Sequence, residues 1–192
     1  MSAYHAGMRE LQDRFDSRRL ADRLHERLSR TAFADEDRAF IEASSLFFLA
    51  TADAEGQPDC SYKGGLPGFV RVTGLSELSF PSYDGNGMFR SLGNLLLNPR
   101  VGMLFIDFEK PRRLRVLGKA SLHLEDPLLA EFAGAQAIVR VQAGQIFPNC
   151  PRYIHRMKLV ELSGYVPAAG REPPVPAWKQ NPAFKDVLPR HD

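Results

Sequence analysis

The spacing of apolar residues divides the chain into a helical beginning and a strand-rich remainder. From Met8 to about Arg30, leucine and phenylalanine recur at steps of about four residues among Arg, Asp and Glu, which predicts an amphipathic helix. A second helix is predicted from Asp35 to Ala43, because acidic residues crowd its first turn, where the helix dipole favours negative charge.

Short runs rich in aromatic and β-branched residues follow and indicate a mainly β fold. The clearest run extends from Leu46 to Thr51 and is closed by an Asp-Ala-Glu-Gly turn. Further strands are predicted at Asp59–Lys63, Phe69–Thr73, Leu75–Phe80, Arg100–Phe108, Arg113–Leu124 and Gln136–Ile146. The loop Glu109-Lys110-Pro111 is short enough for a hairpin. Many short strands with Gly and Pro turns favour an antiparallel barrel or sandwich, and we prefer a barrel.

One more helix and one long irregular segment complete the pattern. The helix is predicted from about Met88 to Leu97, because the Asn-Pro pair that follows disfavours helical backbone. Six prolines between Pro167 and Pro189 predict an extended arm that lies on a surface. We expect one domain over 1–192, with a helical segment at 8–44 and the proline-rich arm at 167–192.

Composition and charge narrow the class of protein. Hydrophobic residues make up 44% and charged residues 25%, the balance of a soluble globular chain, and a net charge of +2 offers no concentrated basic face for nucleic acid. The N-terminus opens onto charged residues, and no apolar run approaches the ~20 residues of a membrane span. Two distant cysteines fit a reducing compartment, and scattered histidines do not suggest a metal site. We expect a cytoplasmic protein with no nucleic-acid or membrane partner.

The segment from Ser82 to Asn94 carries the most informative candidate chemistry. A strand is expected to end at Pro81, a glycine-rich loop follows, and a helix begins with Arg90 and Ser91 in its first turn. Free backbone N–H groups at a helix start, beside a guanidinium, form a natural phosphate pocket. Asp-Gly and Asn-Gly pairs are also ordinary turns, so this loop alone does not decide the matter.

Two strands add polar groups that suit an anionic ligand. Ser61 and Lys63 alternate on one strand face, and the glycines after them would let a flat ring or a phosphate approach the backbone, although a barrel bend with a solvated lysine fits equally well. Arg113 and Arg115 share a face of a later strand. Two neighbouring arginines favour an anion between them, and an exposed basic face is the alternative.

A fourth patch follows the last strand. Pro151, with Asn149 or Cys150 as cap, predicts a helix that begins there. A cysteine at a helix start can be a reactive thiol, although a lone cysteine is more often a small buried filler.

Taken together and in order, these patches resemble the pyridoxamine 5'-phosphate oxidase-like, FMN-binding split-barrel proteins. The motifs that carry the resemblance are FFLATADAEGQPDCSYKGG, FVRV, LSFPSYDGNGMFRSLGNLLLNPRVGMLFIDF and RRLRVLGKASL, over about residues 38–125. The piece FPNCPRYIH resembles a C-terminal signature of one uncharacterised branch of the superfamily. The resemblance implies a split β-barrel of the antiparallel Greek-key type, FMN as cofactor, and a homodimer.

The resemblance also implies which residues bind the cofactor. They are Ser61, Lys63, Gly64, Arg90, Ser91, Asn94, Arg113, Arg115, Asn149, Arg152 and Tyr153. The first three match the strand along the isoalloxazine and ribityl chain, and the next three match the helix that holds the phosphate. The two later arginines match a strand that reaches the flavin, often in a site completed by the second subunit. The last three would close the pocket from the C-terminal side.

Two departures from the family pattern bear on function. Trp178 is followed by Lys-Gln-Asn, whereas the true pyridoxamine-phosphate oxidases have an Arg-rich segment there, which counts against a vitamin B6 phosphate as substrate. Ser91 stands where that enzyme usually has a lysine for the FMN phosphate. This predicts weaker FMN binding or a substitute cation, for which Lys63 is the candidate.

The leading hypothesis is an FMN-dependent oxidoreductase that acts on a small molecule by hydride transfer, since no general base stands out. NAD(P)H is the candidate donor and would bind transiently, because no dinucleotide fingerprint is present. The alternatives are a non-catalytic protein that binds flavin, deazaflavin or haem, and a divergent pyridoxamine-phosphate oxidase. Apolar residues at Leu24, Leu28, Val175 and Trp178 agree with a homodimer, although they could also pack on their own barrel.

Overall fold

The computed structural model describes residues 4–189 and is built around one sheet of seven strands. The helices are α1 (Ala6–Arg14), α2 (Arg18–Leu28), α3 (Asp35–Ala43) and α4 (Arg90–Leu97). The strands are β1 (Leu46–Ala52), β2 (Pro58–Gly64), β3 (Arg71–Val72), β4 (Glu77–Tyr83), β5 (Arg100–Asp107), β6 (Arg112–His123) and β7 (Ala135–Pro148). Short 3-10 turns occupy Pro127–Glu131 and Ala177–Gln180.

All neighbouring strands are antiparallel, in the order β2-β1-β5-β6-β7-β4-β3. This arrangement confirms the predicted mainly β, antiparallel fold with flanking helices. β5 and β6 form the predicted hairpin, in which Asp107 pairs with Arg112. No helix among residues 4–189 is long and apolar enough to cross a membrane.

The core lies on the inner face of the sheet, where phenylalanines from three strands meet. The Phe47 ring lies 4.9 Å from the ring of Phe80 and 5.2 Å from that of Phe105, measured between centroids. All three side chains are fully or almost fully buried. Because strand side chains alternate between faces, the residues on either side of each phenylalanine turn away from this core.

β4 continues past the predicted end at Phe80, and this extension places two polar residues next to the core. Pro81 lies within the strand and pairs with Ile138 of β7. A proline is tolerated here because β3 pairs only with Leu78 and Ser79, so the other side of β4 at Pro81 has no partner strand that needs an N–H donor. Ser82 and Tyr83 therefore belong to the strand.

The N-terminal region differs from the sequence prediction. A single helix from Met8 to Arg30 was expected, but α1 and α2 are separate helices with a break at Asp16, whose φ is +49°. Ion pairs between the two helices, Arg9 with Asp22 and Arg18 with Asp13, hold them against each other. Contacts between helices therefore override a periodicity that continues across the break.

The predicted helix after Pro151 is also wrong. The segment makes one turn, with the Ile154 N–H bonded to the Pro151 carbonyl, and then runs in an irregular extended path. The backbone of this segment hydrogen-bonds to the residue after β5, because the Met157 N–H donates to the Phe108 carbonyl at 3.1 Å. Asn149 and Cys150 consequently cap no helix, and the thiol lacks the helix-start environment that would activate it.

Candidate functional site

The beginning of α4 is shaped to receive an anion. Phe89, the residue before the helix, has left-handed backbone with φ +49°, and no side chain caps the helix start. The first N–H groups of a helix have no acceptor within the helix, and they carry the positive end of its dipole. Gly87, with φ +75°, permits the turn that brings the loop to this point.

One face of β2 lies opposite this helix start. Asp59, Ser61 and Lys63 alternate along the strand, and all three line the same hollow. The Ser91 hydroxyl donates to Asp59 Oδ2 at 2.9 Å and lies 3.0 Å from the Ser61 hydroxyl. Arg90 Nε lies 3.6 Å from Asp59 Oδ1. The Ser91 hydroxyl and the Arg90 guanidinium thus meet one carboxylate at the helix start, and the Ser61 hydroxyl joins them through Ser91.

The site is a cleft made of two adjoining hollows of about 250 and 260 Å³. The first contains the polar groups at the start of α4. The second lies deeper along β2 and β4 and is walled by Tyr62, Phe69, Phe80 and Pro81. Lys63, Ser82, Tyr83, Gly85 and Leu92 line both. The cleft therefore combines an anion-binding end with an apolar, aromatic end.

Burial changes the acid–base properties of two groups in the cleft. It lowers the pKa of the Lys63 ammonium below its ordinary value, an effect that the nearby Asp59 carboxylate opposes. It also raises the pKa of the Tyr83 hydroxyl, so this phenol stays neutral and able to donate a hydrogen bond. An anion bound near Lys63 would restore the favourable setting for its charged form.

These donors suit a flat molecule that carries a phosphate. Arg90, Lys63, the hydroxyls of Ser61 and Ser91, and the uncapped start of α4 supply positive charge and donors at one end. The aromatic walls suit a ring system at the other end. Asp59 opposes a phosphate, because its carboxylate is negatively charged and makes the contacts to Arg90 and Ser91 that a phosphate would make.

Five of the residues singled out in the sequence meet in this cleft. They are Ser61, Lys63, Gly64, Arg90 and Ser91. Asn94 is one turn along α4, and its amide donates to the Thr51 hydroxyl at 3.0 Å, so it ties the helix to β1. The Asn94 side chain is therefore hydrogen-bonded to β1 and does not line the cleft.

The remaining predicted residues lie away from the cleft within one chain. Arg113 and Arg115 lie on the outer face of β6, opposite the buried Leu114. Arg152 and Tyr153 are exposed, and Asn149 follows the end of β7. Their roles as cofactor ligands stay predictions, which would require a second subunit to bring them to a site.

The residues of the cleft that the site prediction left out include three polar ones, Asp59, Ser82 and Tyr83. Asp59 has the same two-residue spacing as Ser61 and Lys63, so strand periodicity could have placed it on their face. Ser82 and Tyr83 were assigned to the loop after β4, because Pro81 suggested that the strand had ended.

Comparisons with known proteins identify the family and the fold. The family model of pyridoxamine 5'-phosphate oxidase matches residues 33–161. No curated protein matches the sequence. A crystal structure of a putative pyridoxamine 5'-phosphate oxidase from Lactobacillus delbrueckii is similar in fold, with a TM-score of 0.51 and 23% identity over 62% of this chain and 95% of that one.

Two further solved structures are more distant. HupZ of Group A Streptococcus has a TM-score of 0.49 and 21% identity, over 60% of this chain and 93% of its own. HutZ of Vibrio cholerae, described as a haem storage protein, has a TM-score of 0.44 and 22% identity, over 58% and 91%. The family match covers most of the barrel, from the residues before α3 to those beyond β7, and the chain therefore belongs to the pyridoxamine 5'-phosphate oxidase family, with its split-barrel fold.

Proposed function

We propose that this protein is an FMN-dependent oxidoreductase that acts on a small molecule in the cytoplasm. The observation that carries the proposal is the convergence of Arg90, Ser91, Ser61 and Lys63 on the uncapped start of α4, beside an aromatic-walled hollow. Membership of a family named for an oxidase of phosphorylated substrates supports a phosphate-bearing cofactor in this cleft.

Each side chain has a defined part in holding the cofactor. The Arg90 guanidinium and the first N–H groups of α4 would bind the phosphate, and the Ser61 and Ser91 hydroxyls would hydrogen-bond to it or to the ribityl chain. Lys63 lines both hollows, so its ammonium would stabilise negative charge at the ring end or the phosphate end. FMN would supply the electron-transfer chemistry, and the protein would position it and tune its electronics.

We propose NAD(P)H as the hydride donor and a homodimer as the functional unit. The leucines of α2 support a dimer, because Leu20, Leu24 and Leu28 are 60%, 47% and 37% exposed and α2 contains no buried residue. Exposed apolar surface of this kind is typical of a contact between subunits.

The first test is a titration of the purified protein with FMN and with riboflavin, in which flavin absorbance near ~450 nm reports binding. Arg90→Ala is expected to weaken FMN binding at least about tenfold, since a hydrogen bond to a charged group contributes roughly 1.5–3 kcal/mol. Riboflavin, which lacks the phosphate, should bind both proteins equally. Arg100→Ala, an exposed arginine at the start of β5, is the matched control and should change neither affinity.

A wild-type protein that does not bind FMN in this titration would overturn the proposal. If FMN binds, the addition of NADPH or NADH without oxygen should bleach the flavin band, and a small-molecule acceptor should restore it over many cycles. A second candidate is a non-catalytic flavin-binding protein. It is favoured by the composition of the cleft, where the lining residues within 4–189 include no histidine or cysteine to act as a general base. Binding of FMN without turnover would select it.

A further inference from the structure

A second cavity, of about 530 Å³, lies between the barrel and the C-terminal arm. Its barrel side consists of Tyr83 and Asp84 at the end of β4 and the loop at 133–134. Its other side consists of the arm from Tyr165 onwards, whose prolines, Val175 and Leu188 give an apolar wall. The volume falls in the range of small-molecule sites, which are typically about 300–1,000 Å³.

The arm is held against the barrel by specific contacts. Lys179 Nζ donates to Asp84 Oδ2 at 2.6 Å, and the Lys179 side chain is only 16% exposed. At the other end of the cavity, a Cβ placed on Gly134 would lie 3.2 Å from the Pro167 ring, so the chain passes closely over the loop before β7. The cavity is thus bounded by an ion pair on one side and by the contact of Gly134 with the Pro167 ring on the other.

The charge in the cavity wall favours a single negative charge on the ligand. Three charged residues line it, and the Lys179–Asp84 pair neutralises two of them. The third, Arg171, donates from Nη2 to the Val166 carbonyl at 2.8 Å and has no carboxylate partner among residues 4–189. Its remaining N–H groups are a suitable fork for a carboxylate.

We propose that this cavity binds a flat aromatic monocarboxylate. Tyr83 lines this cavity and both hollows of the cofactor cleft, so a molecule in the cavity lies next to the cofactor. The rings of Tyr83 and Tyr165 and the prolines provide flat apolar faces, and Arg171 receives the carboxylate. Binding of this ligand to the cavity does not depend on the proposed oxidoreductase function.

The test uses calorimetric titration of the full chain with 2-naphthoate and with its neutral counterpart 2-naphthamide. The wild type should prefer the carboxylate about tenfold, the ratio expected for one charge-assisted hydrogen bond of roughly 1.5 kcal/mol. Arg171→Gln should abolish that preference and leave naphthamide binding unchanged. Lys185→Gln removes an equal charge from an exposed position of the same arm, outside the cavity lining, and should keep the preference.

A second pair of variants locates the site. Ala168→Phe fills the cavity and should block both ligands, whereas Ala169→Phe changes the exposed neighbour, which does not line the cavity, and should block neither. Naphthoate binding that survives Ala168→Phe, or a preference that survives Arg171→Gln, would overturn the inference. If FMN binds and naphthoate does not, only this inference fails. If naphthoate binds as described and FMN does not, the inference about the cavity is confirmed and the proposed oxidoreductase function is wrong.

Discussion

Asp59 places a negative charge among the positively charged groups of the cleft, Lys63 and Arg90. Its side chain is 19% exposed, it accepts a hydrogen bond from Ser91, and it faces Arg90. A carboxylate beside a phosphate pocket repels a bound phosphate, and the repulsion grows where water is partly excluded. The Asp59 carboxylate would therefore compete with a bound phosphate for Ser91 and Arg90 and lower the affinity for it.

We therefore expect Asp59→Asn to bind FMN more tightly than the wild type does, by about tenfold, the equivalent of roughly 1.4 kcal/mol of relieved repulsion. Riboflavin affinity should change little, because the difference lies at the phosphate. Glu55→Gln, an exposed carboxyl in the turn before β2, is the control for general charge. Weaker FMN binding in Asp59→Asn would contradict this argument, because it would mean that the carboxylate accepts a hydrogen bond from a hydroxyl of the FMN ribityl chain.

The buried Lys63 ammonium lowers the stability of the fold, and it would raise the affinity for an anionic ligand. Burial lowers its pKa in the folded chain, so folding is opposed by the cost of burying the ammonium at neutral pH. Above the lowered pKa, the folded lysine loses its proton while the unfolded one keeps it up to about pH 10.4. Folding stability from this group therefore rises with pH across that window.

Lys63→Met should consequently be more stable than the wild type near pH 7, with a difference that shrinks as the pH rises towards about 10.4. Its FMN affinity should fall, because a cation is lost from the cleft. Urea unfolding at several pH values measures the first effect and flavin titration the second. Lys119→Met, an exposed lysine on β6, should show neither. An equal gain at all pH values would contradict the linkage argument.

At the scale of elements, the pairing of β6 with β7 organises the sheet. Their register shifts between Leu117 and Gly118, and Gly118 lies against the backbone of Gln142. A Cβ at Gly118 would overlap the Gln142 carbonyl oxygen, which cannot move without disturbing the ladder. The irregularity in the two strands therefore requires glycine at this point.

Gly118→Ala is expected to destabilise the fold by about 2–3 kcal/mol, the upper range for overpacking. Gly102→Ala, on the neighbouring strand β5, is the matched control. Its Cβ would lie 3.5 Å from Leu117 Cδ2, an ordinary contact, so the free energy of unfolding should change by less than about 1 kcal/mol. Thermal or urea denaturation of both variants separates the two cases. Equal stabilities would show that the β6–β7 backbone adjusts easily.

At the scale of the whole molecule, several apolar side chains within residues 4–189 remain exposed. α2 contains no buried residue, and Leu20, Leu24 and Leu28 along it are 60%, 47% and 37% exposed. Contiguous apolar surface of this kind is typical of a contact between subunits. This surface supports the proposed homodimer.

The full chain should sediment at twice its mass of 21.5 kDa. Leu24→Glu should shift the equilibrium towards the monomer, because it places a charge in the proposed interface. Leu75→Glu, at an 83% exposed position between β3 and β4, should leave the dimer intact. Sedimentation velocity over a range of concentrations measures both. A wild-type monomer at the highest concentration would end the dimer proposal.

The sequence by itself determined the number of strands and roughly where they lie, α3 and the approximate extent of α4. It also determined the family and part of the cleft at the start of α4. Local pattern suffices for these, because alternation places Ser61 and Lys63 on one face and the Gly-rich loop leads directly into Arg90 and Ser91. Such features depend on neighbours a few residues away.

Only the tertiary structure decided which distant groups meet. Asp59 reaches Ser91 because β2 and α4 lie side by side, and Lys179 reaches Asp84 across 95 residues of chain. The break at Asp16 and the missing helix after Pro151 have the same origin, since contacts with other elements outweigh a local propensity of a few tenths of a kcal/mol per residue. Long-range contacts depend on strand register and helix placement, which a local pattern does not contain.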